Sequence, residues 1–282
     1  MEVVQLIIIA LVQGVTEFLP ISSSGHLVLI PHLTGWRDQG LVIDIAAHCG
    51  SLFAVLFYFR QDLAALVRAW CQSLAGQNSN ESRLAWGILI GTIPVGLCGL
   101  LAKDFIEVYL RSPLVIAVTT IGFGVALYAS DLAGRKQREL HTLTLKHAIG
   151  VGLAQALALV PGTSRSGITM TAGLALGYSR EAAARFSFLL SIPVIALAGG
   201  WQLRSVTSFE PAFVVPVAIV TVLSALSAYL CIHLFLGFIQ RIGMLPFFIY
   251  RIALGALLFA VLDSTPMQLE AQSMVRTTGV RI

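Results

Sequence analysis

A chain of 282 residues that is 57% hydrophobic and only 11% charged lacks the composition of a soluble domain, in which about a quarter of residues carry charge. The formal net charge of +4 is too small to point to nucleic acid, and Cys49, Cys71, Cys98 and Cys231 are scattered without a CxxC spacing, as packing residues rather than a metal cluster or disulfide framework. Long apolar segments without the strict alternation of a barrel strand predict an all-α integral membrane protein.

The first region, 3–34, is an apolar run, a Ser/Gly/Pro break and a second, short apolar run. It carries Glu2 rather than a basic leader, so a cleaved signal peptide is not expected. Spans of about 20 apolar residues follow at 41–59, 84–102 and 114–131, with the polar segment 72–83 read as a solvated loop. A second broken region occupies 147–177, and further spans are predicted at 183–203, 212–237 and 246–263, before a polar tail at 265–282. The second arms, 26–33 and 168–176, are too short to cross a bilayer. Re-entrant helical hairpins fit better, because broken backbone survives at membrane depth only when it is buried in protein or lines a wet cavity. The expected fold is therefore six transmembrane helices plus two re-entrant hairpins.

A shift of 142 positions lays Gln13 on Gln155, Ser22 on Ser164, Ser24 on Ser166 and Gly25 on Gly167. Each hairpin is then followed by three spans. Three is odd, so the second half enters the membrane from the opposite side, as an inverted-topology repeat of 1–135 and 145–264. Charge gives an independent expectation. With the 132–147 linker in the cytoplasm, that side holds Arg60, Arg68, Arg83, Arg135, Lys136, Arg138, Lys146, Arg180, Arg185 and Arg241. The other side holds Arg37, Lys103, Arg111, Arg204, Arg276 and Arg281, a bias of ten to six that follows the positive-inside rule.

The polar residues of the two breaks are the candidates for chemistry, since such groups are costly in a membrane interior. Gln13 and Glu17, four apart, share one helix face, and a carboxylate there suits general acid/base work. Ser22, Ser23, Ser24 and Gly25 precede a helix N-terminus, where hydroxyls and free N–H groups make an anion site. His26 can act as nucleophile, general acid or hydrogen-bonded structural imidazole. In the second break, Arg165 between Ser164 and Ser166 needs a negative partner. A phosphate gripped by the planar guanidinium satisfies it, and so does an internal salt bridge to Glu17. Thr163 and Thr169 add hydroxyls. Arg251 is either a second phosphate clamp or an interfacial residue, and Asp44 with His48 is either a metal-holding pair or a capping residue and a bridging imidazole. Neither GxxxxGK[ST] nor HExxH is present, which argues against a nucleotide-driven machine and a zinc hydrolase.

Gln13 with Glu17, the following Pro-Ile-Ser-Ser-Ser-Gly-His run at 20–26, Pro-Gly-Thr-Ser-Arg-Ser-Gly-Ile-Thr at 161–169 and a late Phe-Phe-Ile-Tyr-Arg at 247–251 resemble the undecaprenyl-pyrophosphate phosphatases, the bacitracin-resistance family of bacterial inner membranes. The resemblance implies hydrolysis of undecaprenyl pyrophosphate to the monophosphate carrier lipid and inorganic phosphate, with a divalent cation, Mg2+ or Ca2+, at a site open to the periplasm. It assigns function to Glu17, Ser23, His26, Ser164, Arg165, Ser166, Thr169 and Arg251. Many members carry a second glutamate where this chain has Gln13, which can bind or orient but cannot be a base. Any cation is then held chiefly by Glu17 and the pyrophosphate. The partner implied is a prenyl pyrophosphate lipid, with a homodimer left open. The rival reading is a transporter or flippase of a lipid phosphate or other anion, since inverted repeats with broken helices are also a transporter signature.

Overall fold

The structure, a computed structural model, describes residues 2–36, 39–102, 105–106, 109–110, 112–206 and 210–260. The tail at 265–282, the end of the last predicted span and five of the six basic residues assigned to the outer side (Arg37, Lys103, Arg111, Arg276 and Arg281) lie outside the described residues. Among those described there is no β-sheet, only a single bridge between Arg138 and Tyr178.

The first broken region is two helices, α1 (Val3–Phe18) and α2 (Ser23–Thr34), joined across Leu19-Pro20-Ile21-Ser22. Pro20 disfavours helical backbone at Leu19, whose φ and ψ are extended, so α1 stops there. Helices α3 (Leu41–Tyr58), α4 (Arg60–Leu74), α5 (Asn80–Leu101) and α6 (Pro113–Ala133) follow. The second broken region is α7 (Leu145–Ala156), a 3-10 turn at Leu157–Leu159 and α8 (Arg165–Ala175). The chain continues as α9 (Arg180–Leu203), α10 (Val214–Ile242) and α11 (Leu245–Ala260).

Among the described residues, five helices are long and apolar enough to cross a membrane: α3, α5, α6, α9 and α10 with its preceding turn. The segment predicted as a sixth span holds α11, an apolar helix whose described part is shorter than those five. Their outward faces are apolar, with Phe53, Phe57, Ile93, Leu97, Val118, Leu226, Leu230 and Ile249 exposed, while Gln13, Ser51, Thr120, Gln155, Ser187, Ser224 and Arg251 are buried. That distribution suits a lipid surround and a polar interior.

The solvated loop predicted at 72–83 shrinks to 75–79. Its front end is the last turn of α4, an amphipathic helix that buries Leu66 and Ala69, and its back end is the start of α5. Two of its serines make a capping box: Ser79 Oγ accepts from Ser82 N (3.1 Å) and Ser82 Oγ from Ser79 N (2.9 Å). A third, Ser73, accepts from Trp86 Nε1 (3.0 Å), so polarity there serves helix ends rather than a loop.

In each half the first arm of the broken region packs on the second long helix of the other half, α1 on α10 and α7 on α5. Both contacts depend on a glycine. A Cβ on Gly14 would meet Ser227 and the Ser224 carbonyl, and one on Gly152 would meet the backbone of Gly91. At the end of the bundle that carries the linker, Asp131 of α6 accepts from Arg180 Nε (2.7 Å) and Nη2 (2.8 Å) and from Met244 N (3.2 Å), tying α6, α9 and α11 together.

Candidate active site

The two breaks lie against each other, and their backbones repeat. Ser22 (φ 72°) and Ser164 (φ 69°) both adopt the left-handed region, where a side chain is strained by about 1–2 kcal/mol. Each serine is held there by the same bonds. Ser22 Oγ accepts from Gly25 N (3.3 Å) and Ser164 Oγ from Gly167 N (3.2 Å). Ser22 Oγ is 3.1 Å from Ser24 Oγ, and Ser164 Oγ is 3.2 Å from Ser166 Oγ. The later serine of each pair then crosses to the other break: Ser24 Oγ accepts from Gly162 N (3.2 Å), and Ser166 Oγ donates to the Leu19 carbonyl (2.8 Å). The helices that follow start at Ser23 and Arg165, so Ser23, Ser24 and Gly25 form the first turn of α2 rather than a loop before it.

Onto this frame the sequence places one carboxylate and one guanidinium. Arg165 Nη2 donates to Glu17 Oε1 (3.2 Å) and to the Glu17 carbonyl (3.3 Å), while Nη1 reaches the Ser187 carbonyl (3.2 Å). The internal salt bridge considered for Arg165 is thus present, with side chains only 11% and 8% exposed. Glu17 Oε2 accepts from Gln13 Nε2 (3.0 Å), as their spacing of four predicts, and from Ser23 Oγ (3.2 Å). Phe18, at 0% exposure and edge-on to Phe188 (5.3 Å), seals the floor beside them. Three buried atoms at this spot have no partner among the described residues: Gln13 Oε1, Thr163 Oγ1 and Arg165 Nε. Unmatched groups in such a setting are costly, and they are what an anionic or cationic ligand would satisfy.

The remaining candidates divide. Thr169 Oγ1 donates to the Arg165 carbonyl (2.9 Å) and Ser187 Oγ (2.7 Å), so it steadies Arg165 from below. The hydrogen bonds of His26 go elsewhere than to Glu17 or Arg165. Its Nδ1 lies 2.7 Å from the Ser22 carbonyl and its Nε2 2.6 Å from Tyr250 Oη. Arg251 is buried rather than interfacial, and its guanidinium faces the backbone of both breaks. It is 0% exposed, and its guanidinium donates to five carbonyls: Thr120 (2.9 Å), Pro20 (3.3 Å), Thr119 (3.4 Å), Gly162 (3.0 Å) and Thr163 (3.1 Å). A buried cation there replaces the backbone partners that a break in a helix leaves open. Asp44 and His48 do not form a metal pair through their side chains. Asp44 Oδ1 accepts from Gln39 Nε2 (2.8 Å), and His48 Nδ1 donates to the Asp44 carbonyl (2.8 Å), which turns Nε2 toward Glu17 Oε2 at 3.9 Å.

The sequence pairs His48 only with Asp44 and points to no role for Tyr250, Ser187 or Thr119. His48 sits one helical turn from Asp44 and was read against it, whereas its partner Glu17 lies on another helix. Tyr250 meets His26 across 224 residues, a contact no spacing signals.

The family model for bacitracin resistance protein BacA matches residues 6–257 of this chain. The chain belongs to the BacA family. Among its relatives, an undecaprenyl-diphosphatase of Nitrosococcus oceani is 57% identical over 261 residues, covering 92% of this chain and 98% of the relative. Undecaprenyl-diphosphatase 2 of Stutzerimonas stutzeri is 55% identical over 266 residues, covering 93% and 98%. An undecaprenyl-diphosphatase of Campylobacter concisus is 53% identical over 262 residues, covering 92% and 98%. The match to BacA takes in both breaks and Arg251, so the geometry above belongs to the part of the chain that defines the family.

Proposed function

We propose that this BacA-family protein hydrolyses undecaprenyl diphosphate to undecaprenyl phosphate and inorganic phosphate, returning the carrier lipid to cell-wall synthesis and so conferring bacitracin resistance. The observation that carries the chemistry is the convergence of Ser23 and Arg165, from two breaks, on Glu17, each 3.2 Å from one of its carboxylate oxygens. A terminal phosphate offers Arg165 a bidentate anion in place of Glu17. With the guanidinium turned to phosphate, Glu17 keeps Gln13 and Ser23 and becomes the base. As Ser23 Oγ bonds to the terminal phosphorus, its proton passes to Glu17. The bridging P–O bond breaks with its electron pair on the departing undecaprenyl phosphate. Arg165 and the free N–H groups at the starts of α2 and α8 spread the transition-state charge. Water then cleaves the phosphoserine, and Glu17 returns the proton to Ser23.

Ser23 is favoured over His26 as nucleophile because Ser23 already donates to Glu17, whereas both ring nitrogens of His26 are engaged elsewhere. His26 shares a face of α2 with Ser23 and serves as a second proton carrier. Ser164, Ser166 and Thr169 hold Arg165 and the frame, and Thr163, with its unmatched hydroxyl, is the member of the second break best placed to bind phosphate.

A cation fits this donor set in part: Glu17 lies beside the orphaned, buried Oε1 of Gln13, yet no group of three His, Cys, Asp or Glu among the described residues can enclose a metal. Glu17 and Gln13 would hold Mg2+ or Ca2+ together with diphosphate oxygens, and the ion would neutralise phosphate charge.

The matched breaks and the exchanged packing of α1 and α7 support an inverted repeat in which both pairs, α1–α2 and α7–α8, are re-entrant hairpins, flanked by six spans that include α11. The arginine bias supports a bacterial inner-membrane protein with the Glu17 site facing the periplasm. In cells whose four native cysteines are replaced, a membrane-impermeant thiol reagent labels Arg204→Cys and spares Arg60→Cys in that orientation; the reverse pattern refutes it. The activity is tested by phosphate release from a prenyl diphosphate by purified, detergent-solubilised protein. Tight binding of the lipid without phosphate release is the result expected of a transporter or flippase, and it would overturn the phosphatase.

A further inference from the structure

Neighbouring residues of α11 grip both sides of the first break. Arg251 reaches the Pro20 carbonyl from within the protein, and Leu254 lies 3.5 Å from where a Cβ on Gly25 would stand. Tyr250 turns the other way and meets His26. Its Oη lies 2.6 Å from His26 Nε2, and the two rings stack with centroids 5.5 Å and planes 10° apart. The other nitrogen, Nδ1, is 2.7 Å from the Ser22 carbonyl oxygen. A carbonyl only accepts, so Nδ1 carries a proton. In the neutral imidazole Nε2 is then the acceptor, and the Tyr250 O–H is its donor.

This fixes more than the orientation of the ring. The single lone pair of neutral His26 is on Nε2, and the phenol occupies it. Attack on phosphorus needs that lone pair bare, whereas proton exchange works through a nitrogen already in a hydrogen bond. The Ser22 carbonyl that accepts from Nδ1–H belongs to a residue held at φ 72° by the frame of the break, so the tautomer is held jointly by that frame and by the Tyr250 hydroxyl on the other nitrogen.

We propose that Tyr250 is a positioning residue of the reaction, which locks His26 in the Nδ1–H tautomer and keeps Nε2 for proton exchange rather than for attack on phosphorus. The inference rests on the reading of Glu17, Ser23 and His26 as phosphatase machinery, and it adds a residue that neither the spacing of the motifs nor the family resemblance assigns.

Tyr250→Phe keeps the stacked ring and removes only the hydroxyl. In purified protein hydrolysing a prenyl diphosphate, kcat falls about 10- to 100-fold while KM changes by less than about twofold. In the His26→Ala background the same substitution costs nothing further, because the residue acts through the imidazole. Nitrogen spectra of 15N-histidine-labelled protein, with His26 assigned from His26→Ala, show the Nδ1–H tautomer in the wild type and a mixture in Tyr250→Phe. A wild type that shows the Nε2–H tautomer overturns the inference without any variant. So does Tyr250→Phe with wild-type kcat, or with an equal loss in the presence and absence of His26. Wild-type kcat in His26→Ala overturns the reading beneath it. A silent Tyr250→Phe beside a disabled His26→Ala sinks the inference alone.

Discussion

At positions 22, 24 and 25 the first break carries Ser, Ser and Gly, and at 164, 166 and 167 the second carries the same three residues in the same hydrogen bonds. At 17, 23 and 26 the first has Glu, Ser and His, where the second has Leu159, Arg165 and Ile168. The shared residues make the frame, strained serine included, and set two helix N-termini side by side. In the reaction proposed above, the unshared residues do the chemistry: a base, a nucleophile and an imidazole from one break, a cation from the other. Each break alone is half a site, which is why two similar structures produce one centre rather than two.

The largest effects are expected at the unshared positions. Arg165→Ala and Glu17→Ala each lower phosphate release at least about 1000-fold, roughly 4 kcal/mol of barrier, in protein that still folds in detergent at a lower unfolding temperature, because each leaves a buried charge without its partner. Ser23→Ala matches them. A Ser23→Ala enzyme retaining more than about a tenth of wild-type kcat breaks the assignment of the nucleophile.

Arg251 belongs to neither set, because it joins the breaks through their carbonyls. Arg251→Met leaves buried carbonyls without donors, at about 1–3 kcal/mol each for those that water cannot reach. The expected result is a lower unfolding temperature together with lost activity, and Arg251→Lys does not rescue it, since an ammonium cannot span five acceptors. A stable Arg251→Met protein with a raised KM alone would return this residue to the phosphate.

The smallest effects fall on the shared serines. Ser22→Ala and Ser164→Ala each remove an N-cap, for about 1 kcal/mol, and Ser→Gly at either position costs only a few tenths because glycine relieves the left-handed strain. Equal responses at the two positions, read as unfolding midpoints, sharpen the comparison. A response at one position alone blunts it.

Much of this was legible in the sequence, for physical reasons. Ser/Gly/Pro clusters inside apolar runs mark where helices must stop, and both breaks are where those clusters stand. The i, i+4 spacing of Gln13 and Glu17 put them on one face, and they bond as that face requires. Glu17 and Arg165 were brought together on charge alone, because an arginine at membrane depth demands an acid or an anion. What stayed hidden depends on distant partners. Helix α4 is too short and too interleaved with polar residues to read as a span, and it is settled by packing on α5 that buries Leu66 and Ala69. His48 looked to its own helix, and its functional neighbour is on another. The burial of Arg251 stayed hidden because a sequence lists a guanidinium but not the five carbonyls that receive it.

The central claim is that Glu17 and Arg165 act as one unit on a single diphosphate. Phosphate release from undecaprenyl diphosphate by Glu17→Gln, Arg165→Lys and the double variant tests it most directly. The account predicts two crippled single variants and a double variant no slower than the worse of them, as for residues that share one transition state. Losses that multiply, or a single variant near wild-type rate, would contradict it.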